Sequence, residues 1–592
     1  MRSIFKVKNL TLFALLAATV FTTACTSKKA TDGENTLTMS VSSEIKSLDS
    51  IALGDLYTNR AGSQIYEPLY TYHYLKRPLE LIPALADGMP VMSKDGLTAT
   101  IKIKKGLLFH DNEAFKDGKG REVVAEDFIY AWKRLVDPRN GSDGYWIFEG
   151  KIKGLNEWRD KVTKGEADYK TPIEGFTAID SHTLQIKMIK PYYQLVYVLA
   201  MPYTAPTAIE AIDKYGKEYA NNPVGTGPFM MKSWIRGNRL EMVRNPNWRE
   251  ELYPSEGTPE DQAKGFLADA GKKLPFVDKL VILEIVEDQT RWLNFMKGQI
   301  DFAGIPKDNY DTAIKDGKLS EEMTSKNIKL DIVEEPDLTY TAFNMEDPIL
   351  GKNRYLRLAM GHAIDTETMI DKFYNRRAIS AQSPIAPGID GYDPNYVNPN
   401  KKFDLEKAKE YMKLAGYPDG KGLPEIEYSN TSSATSRQFV ELFTQHMATI
   451  GIKIKVVTTS WPQFTEKLRK KKAQLWGIAW SGDYPDAQNF FQLLHSSSIS
   501  PGPNAANYNS PEFDKLYDKA LGMPPGPART KVYLQMRDLA VKDAPWIFNT
   551  HRTTYTLDHE WVHNFKIPPI SHDFVKYIRI DTAKRAEKKK DL

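Results

Sequence analysis

His559-Glu560-Trp561-Val562-His563 spells H-E-x-x-H, the pattern in which a helix presents two imidazoles to Zn²⁺ and a glutamate to the metal-bound water. That chemistry needs a helix, because only there do positions four apart share one face. Here the pattern follows the β-prone run Thr553-Thr554-Tyr555-Thr556 and is soon cut off by Pro568-Pro569. Lys566 stands where an extended zinc motif has glycine. A zinc peptidase built on His559, Glu560 and His563 is therefore a distant alternative, and no resident metal or other cofactor is expected. A second cluster, Ser481-Gly482-Asp483-Tyr484-Pro485-Asp486, offers two carboxylates and a phenol in one turn. Other catalytic patterns are missing: there is no phosphate loop and no G-x-S-x-G elbow, and Gly225-Thr226-Gly227 runs into Pro228 instead of a dinucleotide fingerprint. Nothing points to bond-making chemistry, and a non-enzymatic role is expected.

The elements that must position these residues read as mixed α/β. Lys94-Asp95-Gly96 is a turn signal, and the alternation of Leu97, Ala99, Ile101 and Ile103 predicts a half-exposed antiparallel strand. A buried strand is predicted over 280–286, then a short helix capped by Asp288 and carrying Leu293 and Met296, then a strand over 300–302. Further on, Asp404 caps a helix with Leu405, Ala408 and Met412 on one face, stopped by Gly416 and Pro418. A strand over 425–429 precedes a helix with Phe439, Phe443, Met447 and Ile450 on one stripe. Strand 452–456, helix 461–470 and strand 475–480 follow. Such alternation implies βαβ units and parallel strands, and open α/β sheets bind ligands beyond the carboxyl ends of their strands. The turn at 481–486 leaves the last of these strands, which is why its carboxylates matter. A loop rich in Gly, Pro and Asp is also what any connection looks like.

Composition narrows the function classes. The chain has 592 residues, 41% of them hydrophobic, enough for about three or four folding units and their cores. Lys and Arg total 80 against 76 acids, a formal charge of +4, which gives no argument for a nucleic-acid partner. A single cysteine, Cys25, excludes intramolecular disulfides and multi-cysteine metal sites. It ends a segment with basic Arg2, Lys6 and Lys8 followed by an apolar run over 10–24, which reads as a secretory signal. Removing that segment takes the formal charge from +4 to +1. The tail Lys584-Arg585-Ala586-Glu587-Lys588-Lys589-Lys590 reads as a solvated, frayed end.

Two resemblances follow from quoted residues. Thr22-Thr23-Ala24-Cys25 resembles the lipobox of bacterial lipoproteins, with Thr22 where Leu, Val or Ile is usual. This implies a signal peptide over 1–24, a lipidated Cys25, a polar tether over 25–35, and a location in the periplasm or at the outer face of the cytoplasmic membrane. Pro223-Val224-Gly225-Thr226-Gly227-Pro228-Phe229, with Ile65-Tyr66-Glu67-Pro68-Leu69, Asn245-Pro246-Asn247-Trp248, Gly298-Gln299-Ile300-Asp301-Phe302 and Ala415-Gly416-Tyr417-Pro418, resembles the oligopeptide/dipeptide-binding family of solute-binding proteins of bacterial ABC importers. The resemblance covers nearly all of the mature chain, and Trp561-Val562-His563 falls where the family has a strand, which demotes the zinc reading further.

The resemblance implies an α/β, two-lobed periplasmic-binding-protein-like fold with a third smaller lobe. The segments are lobe I over 36–56, 214–337 and 547–592, lobe II over 57–213 and lobe III over 338–546. It implies a monomer that binds short peptides and hands them to the permease subunits of an ABC importer. It places Asp483, three residues after Trp480, on the peptide's N-terminal ammonium. Trp480 and Ser481 offer main-chain hydrogen bonds, Glu44, Ile45 and Lys46 lie on a facing strand, and Trp461 and Tyr145 line the pocket. A same-fold binder of an oligosaccharide or nickel chelate is the nearer alternative. Some members carry Arg three positions before the strand-end Trp; here that residue is Gly477, so the group that meets the peptide carboxylate stays open.

Overall fold

The computed structural model describes residues 35–590 apart from 143 and 335, so the signal, tether and Cys25 readings lie outside the described residues. Three sheets organise the chain. Strand Thr36–Val41 runs parallel to Lys279–Glu284, which continues antiparallel into Arg239–Arg244 and Phe229–Ile235. A second four-stranded sheet contains Thr98–Lys102, the strand expected from alternation, with Ala99 and Ile101 buried and Lys102 outward. One extended core spans both sheets and includes Leu37, Met39, Ile101, Trp132, Leu184 and Trp561.

The third sheet has eight strands and holds the later part of the chain. At its centre lies Asp337–Phe343, every residue of which is buried, between antiparallel neighbours Leu475–Ser481 and Trp546–Asp558. Alternation splits the side chains between two cores: Leu338, Tyr340 and Trp476 face one, while Phe343, Leu475 and Tyr428 face the other. Only Ile426–Thr431, Ile454–Thr459 and Leu475–Ser481 pair in parallel, linked by helices Ala434–Ala448 and Trp461–Arg469. The sheet is thus mixed, with the predicted βαβ units forming one end of it.

Local signals explain most element ends. Asp404 caps Leu405–Leu414 by accepting the Lys407 N–H at 2.9 Å, and Ala408 and Met412 form its buried face. The helix Asp288–Met296 begins at Asp288, with Glu287 in the cap position. It buries Trp292 and Phe295 and leaves Leu293 53% exposed, so the expected stripe is shifted. The final basic segment is a helix, Thr582–Lys588, docked by Arg585, whose Nη1 donates to the Thr36 carbonyl at 2.6 Å, and so is not a frayed end. Gly225 is needed for close approach: a Cβ there would lie 2.0 Å from the Ile65 carbonyl oxygen.

The H-E-x-x-H segment is not a helix. Its residues leave strand Trp546–Asp558 through a turn and enter the short strand Val562–His563. His559 sits between Phe295 and Trp561, ring centroids at 4.3 and 4.0 Å, and its Nε2 donates to the Phe295 carbonyl at 2.9 Å. Glu560 instead pairs with Lys584 at 2.9 Å. The zinc-peptidase alternative is therefore overturned by geometry: a strand-and-turn backbone does not bring two imidazoles and a carboxylate onto one helical face. Among the described residues no group of three or more His, Cys, Asp or Glu is arranged to hold a metal.

Candidate functional site

The strand Leu475–Ser481 has unequal edges. On one side it pairs with Asp337–Phe343 along its whole length, from Phe343 opposite Leu475 to Asp337 opposite Ser481. On the other it meets Ile426–Thr431 only at Leu475 and Trp476. From Gly477 to Ser481 no strand among the described residues pairs with that edge. An unpaired edge is a template for an extended chain. Here it lies in a cleft, because 477–483 form one wall of a cavity of about 590 Å³. That volume falls within the ~300–1,000 Å³ typical of ligand sites.

The other walls include helix Leu56–Gly62, strand Tyr70–Tyr72, helix Trp461–Arg469 and the loop 567–574. Trp461 projects from its helix start to meet Tyr57 edge-on, with centroids 5.8 Å apart, and stacks on Phe464. The Ser460 cap and Gln463 fix that first turn.

Of the turn 481–486, only Ser481, Gly482 and Asp483 reach the cavity. Tyr484 is fully buried, stacked on Tyr197 at 5.7 Å, and donates to Gln488. Asp486 is drawn away by Arg529 at 2.9 Å, Tyr533 at 2.8 Å and Gln194 at 3.1 Å, a structural role. Asp483 is aimed by Asn489, a residue that no motif singles out. The Asn489 Oδ1 accepts the Asp483 N–H and the Trp480 Nε1–H, both at 2.9 Å, and its Nδ2 donates to Asp483 Oδ2 at 2.8 Å. Asn489 is fully buried, so these bonds are sheltered from competing water.

The expected site residues separate. Asp483, Trp480, Ser481, Trp461 and Lys46 line one cavity. Glu44 and Ile45 do not, and with Lys46 they follow strand Thr36–Val41 in irregular backbone. Ile45 is buried, its N–H donated to Glu284. Tyr145 also lies off the cavity: in the short helix Tyr145–Ile147 its ring turns toward Arg159, 4.0 Å away, and its neighbour Trp146 contributes to the wall.

Cationic groups around the cavity are largely matched by acids. Lys46 pairs with Asp55 at 3.1 Å, Arg469 with Glu466 at 3.0 Å, and Lys576 with Glu251 at 3.0 Å; Arg552 binds Asp337 at 2.5 Å. Glu251 illustrates the strength of such matching: burial raises its carboxyl, yet Lys576 and Arg249 hold it at about 2. His572, which lines the cavity beside Arg60, is lowered to about 3 by burial first and the guanidinium second. Gly477 contributes no cation and has room for none: a Cβ there would stand 2.5 Å from the Tyr428 hydroxyl.

The chain resembles known proteins over most of its length. Residues 80–502 match the family model described as bacterial extracellular solute-binding proteins, family 5 Middle. Heme-binding protein A of Haemophilus influenzae is 26% identical, covering 88% of each chain, and the dipeptide-binding protein of Escherichia coli is 24% identical, covering 85% of this chain and 86% of its own. Among solved structures, the ABC transporter-associated periplasmic binding protein DppA of Helicobacter pylori, in complex with peptide STSA, superposes with a TM-score of 0.76. It is 23% identical and covers 92% of this chain and 98% of its own, a likeness that shows the two-lobed α/β fold. With the family model spanning more than half of its residues, the chain belongs to the bacterial extracellular solute-binding proteins, family 5.

Proposed function

We propose that this protein captures short, extended peptides in the cavity beside strand Leu475–Ser481 and delivers them to the permease of an ABC importer. The observation that carries the reading is Asp483, locked by Asn489 at the end of a strand whose ligand-facing edge is unpaired. An extended peptide added to that edge bonds through its backbone, which makes binding indifferent to most side chains. The carboxylate then fixes the register by pairing with the N-terminal ammonium, a charge-assisted contact of roughly 1.5–3 kcal/mol. Trp480 and Ser481 supply main-chain groups, while Trp461 and Lys46 border the remaining space. Relatives whose names state dipeptide, oligopeptide or glutathione binding support the ligand class.

The same reading has the chain exported, anchored through a lipidated Cys25 and working as a monomer without cofactor or catalytic step. Lobe I (36–56, 214–337 and 547–592) and lobe II (57–213) close with lobe III (338–546) around the ligand. A thermal-shift screen tests the core of it. Free-amine peptides should raise the melting temperature of the mature protein, and Asp483→Ala should abolish the rise. No shift with any peptide would sink the reading.

A further inference from the structure

The turn 481–486 faces two ways. Ser481, Gly482 and Asp483 border the cavity, whereas Tyr484 and Asp486 are buried against the segment 190–203, which follows strand Thr183–Lys187 of the second four-stranded sheet. Gln194 Nε2 donates to Asp486 Oδ2 at 3.1 Å, and the Tyr197 and Tyr484 rings stack 5° from parallel with centroids 5.7 Å apart. Trp146, in the cavity wall, meets the Tyr484 ring at 6.4 Å. Nearby, the Lys190 ammonium donates to the Asp518 carbonyl at 3.2 Å and to its carboxylate at 3.3 Å. Among the described residues no strand pairing joins the second four-stranded sheet to the eight-stranded one, so side chains make this junction. Of residues 338–546, only Tyr484 and Leu521 are buried members of the core that spans the two four-stranded sheets.

These contacts can part without leaving a buried charge alone. Asp486 also accepts from Arg529 at 2.9 Å, from the Tyr533 hydroxyl at 2.8 Å and from the Gln488 N–H at 3.0 Å, so losing Gln194 leaves its carboxylate paired. Gln194 regains water on separation, and its Oε1 has no partner while buried, so the joined state is not free of cost. The Lys190 bridge is largely exposed and therefore weak. One charge-assisted hydrogen bond and one ring stack bias a two-state junction without fixing it. The junction is also tied to the ligand side of the turn by consecutive residues: Gln488 holds the Tyr484 hydroxyl and Asp486, and Asn489 holds Asp483.

We propose that Gln194 and Tyr197, with Asp486 and Tyr484, form a closure latch built on the turn that carries Asp483. Ala200 to Tyr203 line the cavity, so a ligand spanning from Asp483 to that wall draws Gln194 and Tyr197 onto Asp486 and Tyr484. This rests on the peptide reading of the site and deepens it: the four latch residues lie off the cavity, yet they set how long a ligand is retained.

The test loads the mature protein with an isotope-labelled library of free di- to pentapeptides and follows release of label into excess unlabelled library. Small-angle X-ray scattering reads compaction on loading. Gln194→Met keeps the volume and deletes the donor, Tyr197→Ala deletes the ring stack, and Tyr197→Phe retains it. The first two should release label about tenfold faster than wild type and compact less, with Tyr197→Phe unchanged. Wild-type release in both Gln194→Met and Tyr197→Ala overturns the latch and spares the peptide reading. Faster release with full compaction also overturns it, because the two residues then act only by aiming Asp483. A lowered unliganded melting temperature with wild-type release overturns it as well, since the contacts then serve packing alone. A library that the wild-type protein fails to retain removes the peptide reading, and the latch with it.

Discussion

Replacing Asn489 with leucine, which is close in volume and fully apolar, isolates what aiming Asp483 is worth. The substitution deletes the acceptor of the Asp483 N–H and the Trp480 Nε1–H and the donor to Asp483 Oδ2. Two neutral bonds at ~1 kcal/mol each and one to a charged group at ~1.5–3 kcal/mol bound the loss at about 5 kcal/mol. Asp483 and Trp480 both border the cavity, so water replaces part of what they lose, and a fall of about 3 kcal/mol in unfolding free energy is expected. The carboxylate also regains rotamer freedom that binding must then remove, about 1 kcal/mol, or roughly five- to tenfold in peptide affinity. Urea unfolding without ligand and calorimetric titration with free-amine peptides read the two effects separately. A stability loss of this size with affinity within about twofold of wild type would refute the argument, because Asp483 would then bind equally well unaimed.

Three further outcomes are expected. His110, His551 and His559 are each lowered to about 4, and His572 to about 3, by burial first, against an ordinary value of 6.5. Their folded pKa is depressed, so the unfolded chain takes up their protons first, and the stability they contribute is whole above pH 6.5 and lost as pH falls toward 4. Asp558, raised to about 6 by burial, works the other way between pH 6 and 4, leaving a net difference of about three protons, or about 4 kcal/mol per pH unit; a flat urea midpoint from pH 6.5 to 4.5 would contradict this. Glu560→Ala removes a bridge to Lys584 and a hydrogen bond with Asn327 at a partly exposed site, so it should change stability by about 1 kcal/mol and leave metal content unaltered, and stoichiometric zinc lost on this change would reverse our view of the segment. Gly477→Arg should destabilise the unliganded protein, because its first side-chain atom meets the Tyr428 hydroxyl, and a fully stable variant with raised affinity for peptide carboxylates would contradict that crowding, by thermal melt and titration.

Much of the scaffold was legible because its signals are local. Asp404 announces a helix through a side chain that reaches its own first turn, and the alternation at 97–103 needs only one half-buried sheet face. The strand ending at Trp480 and the Gly-Asp turn after it were legible for the same reason, whereas the role proposed for Asp483 came from the family resemblance. What escaped was set by tertiary return. The all-buried strand Asp337–Phe343 and the long Trp546–Asp558 carry no alternation to mark them as the sheet's centre, so a parallel arrangement was expected where most pairings are antiparallel. Asn489 looks like any loop asparagine until the short helix Gln488–Phe491 brings it back beside the strand end. Tyr145 and Trp146 differ by one position, and a single turn of tight helix decides which of them meets the cavity. The H-E-x-x-H spelling misled for the converse reason: a motif defined by helical spacing has no meaning on a strand and turn.

The central claim is that the cavity's ligand is a peptide held by its free N-terminus. Native mass spectrometry of the mature protein purified without denaturation, followed by release and sequencing of whatever accompanies it, tests this directly. Peptide masses with unblocked amino termini, absent from Asp483→Ala prepared in parallel, are the predicted result. A haem, oligosaccharide or metal-chelate adduct retained equally by both proteins would contradict the account.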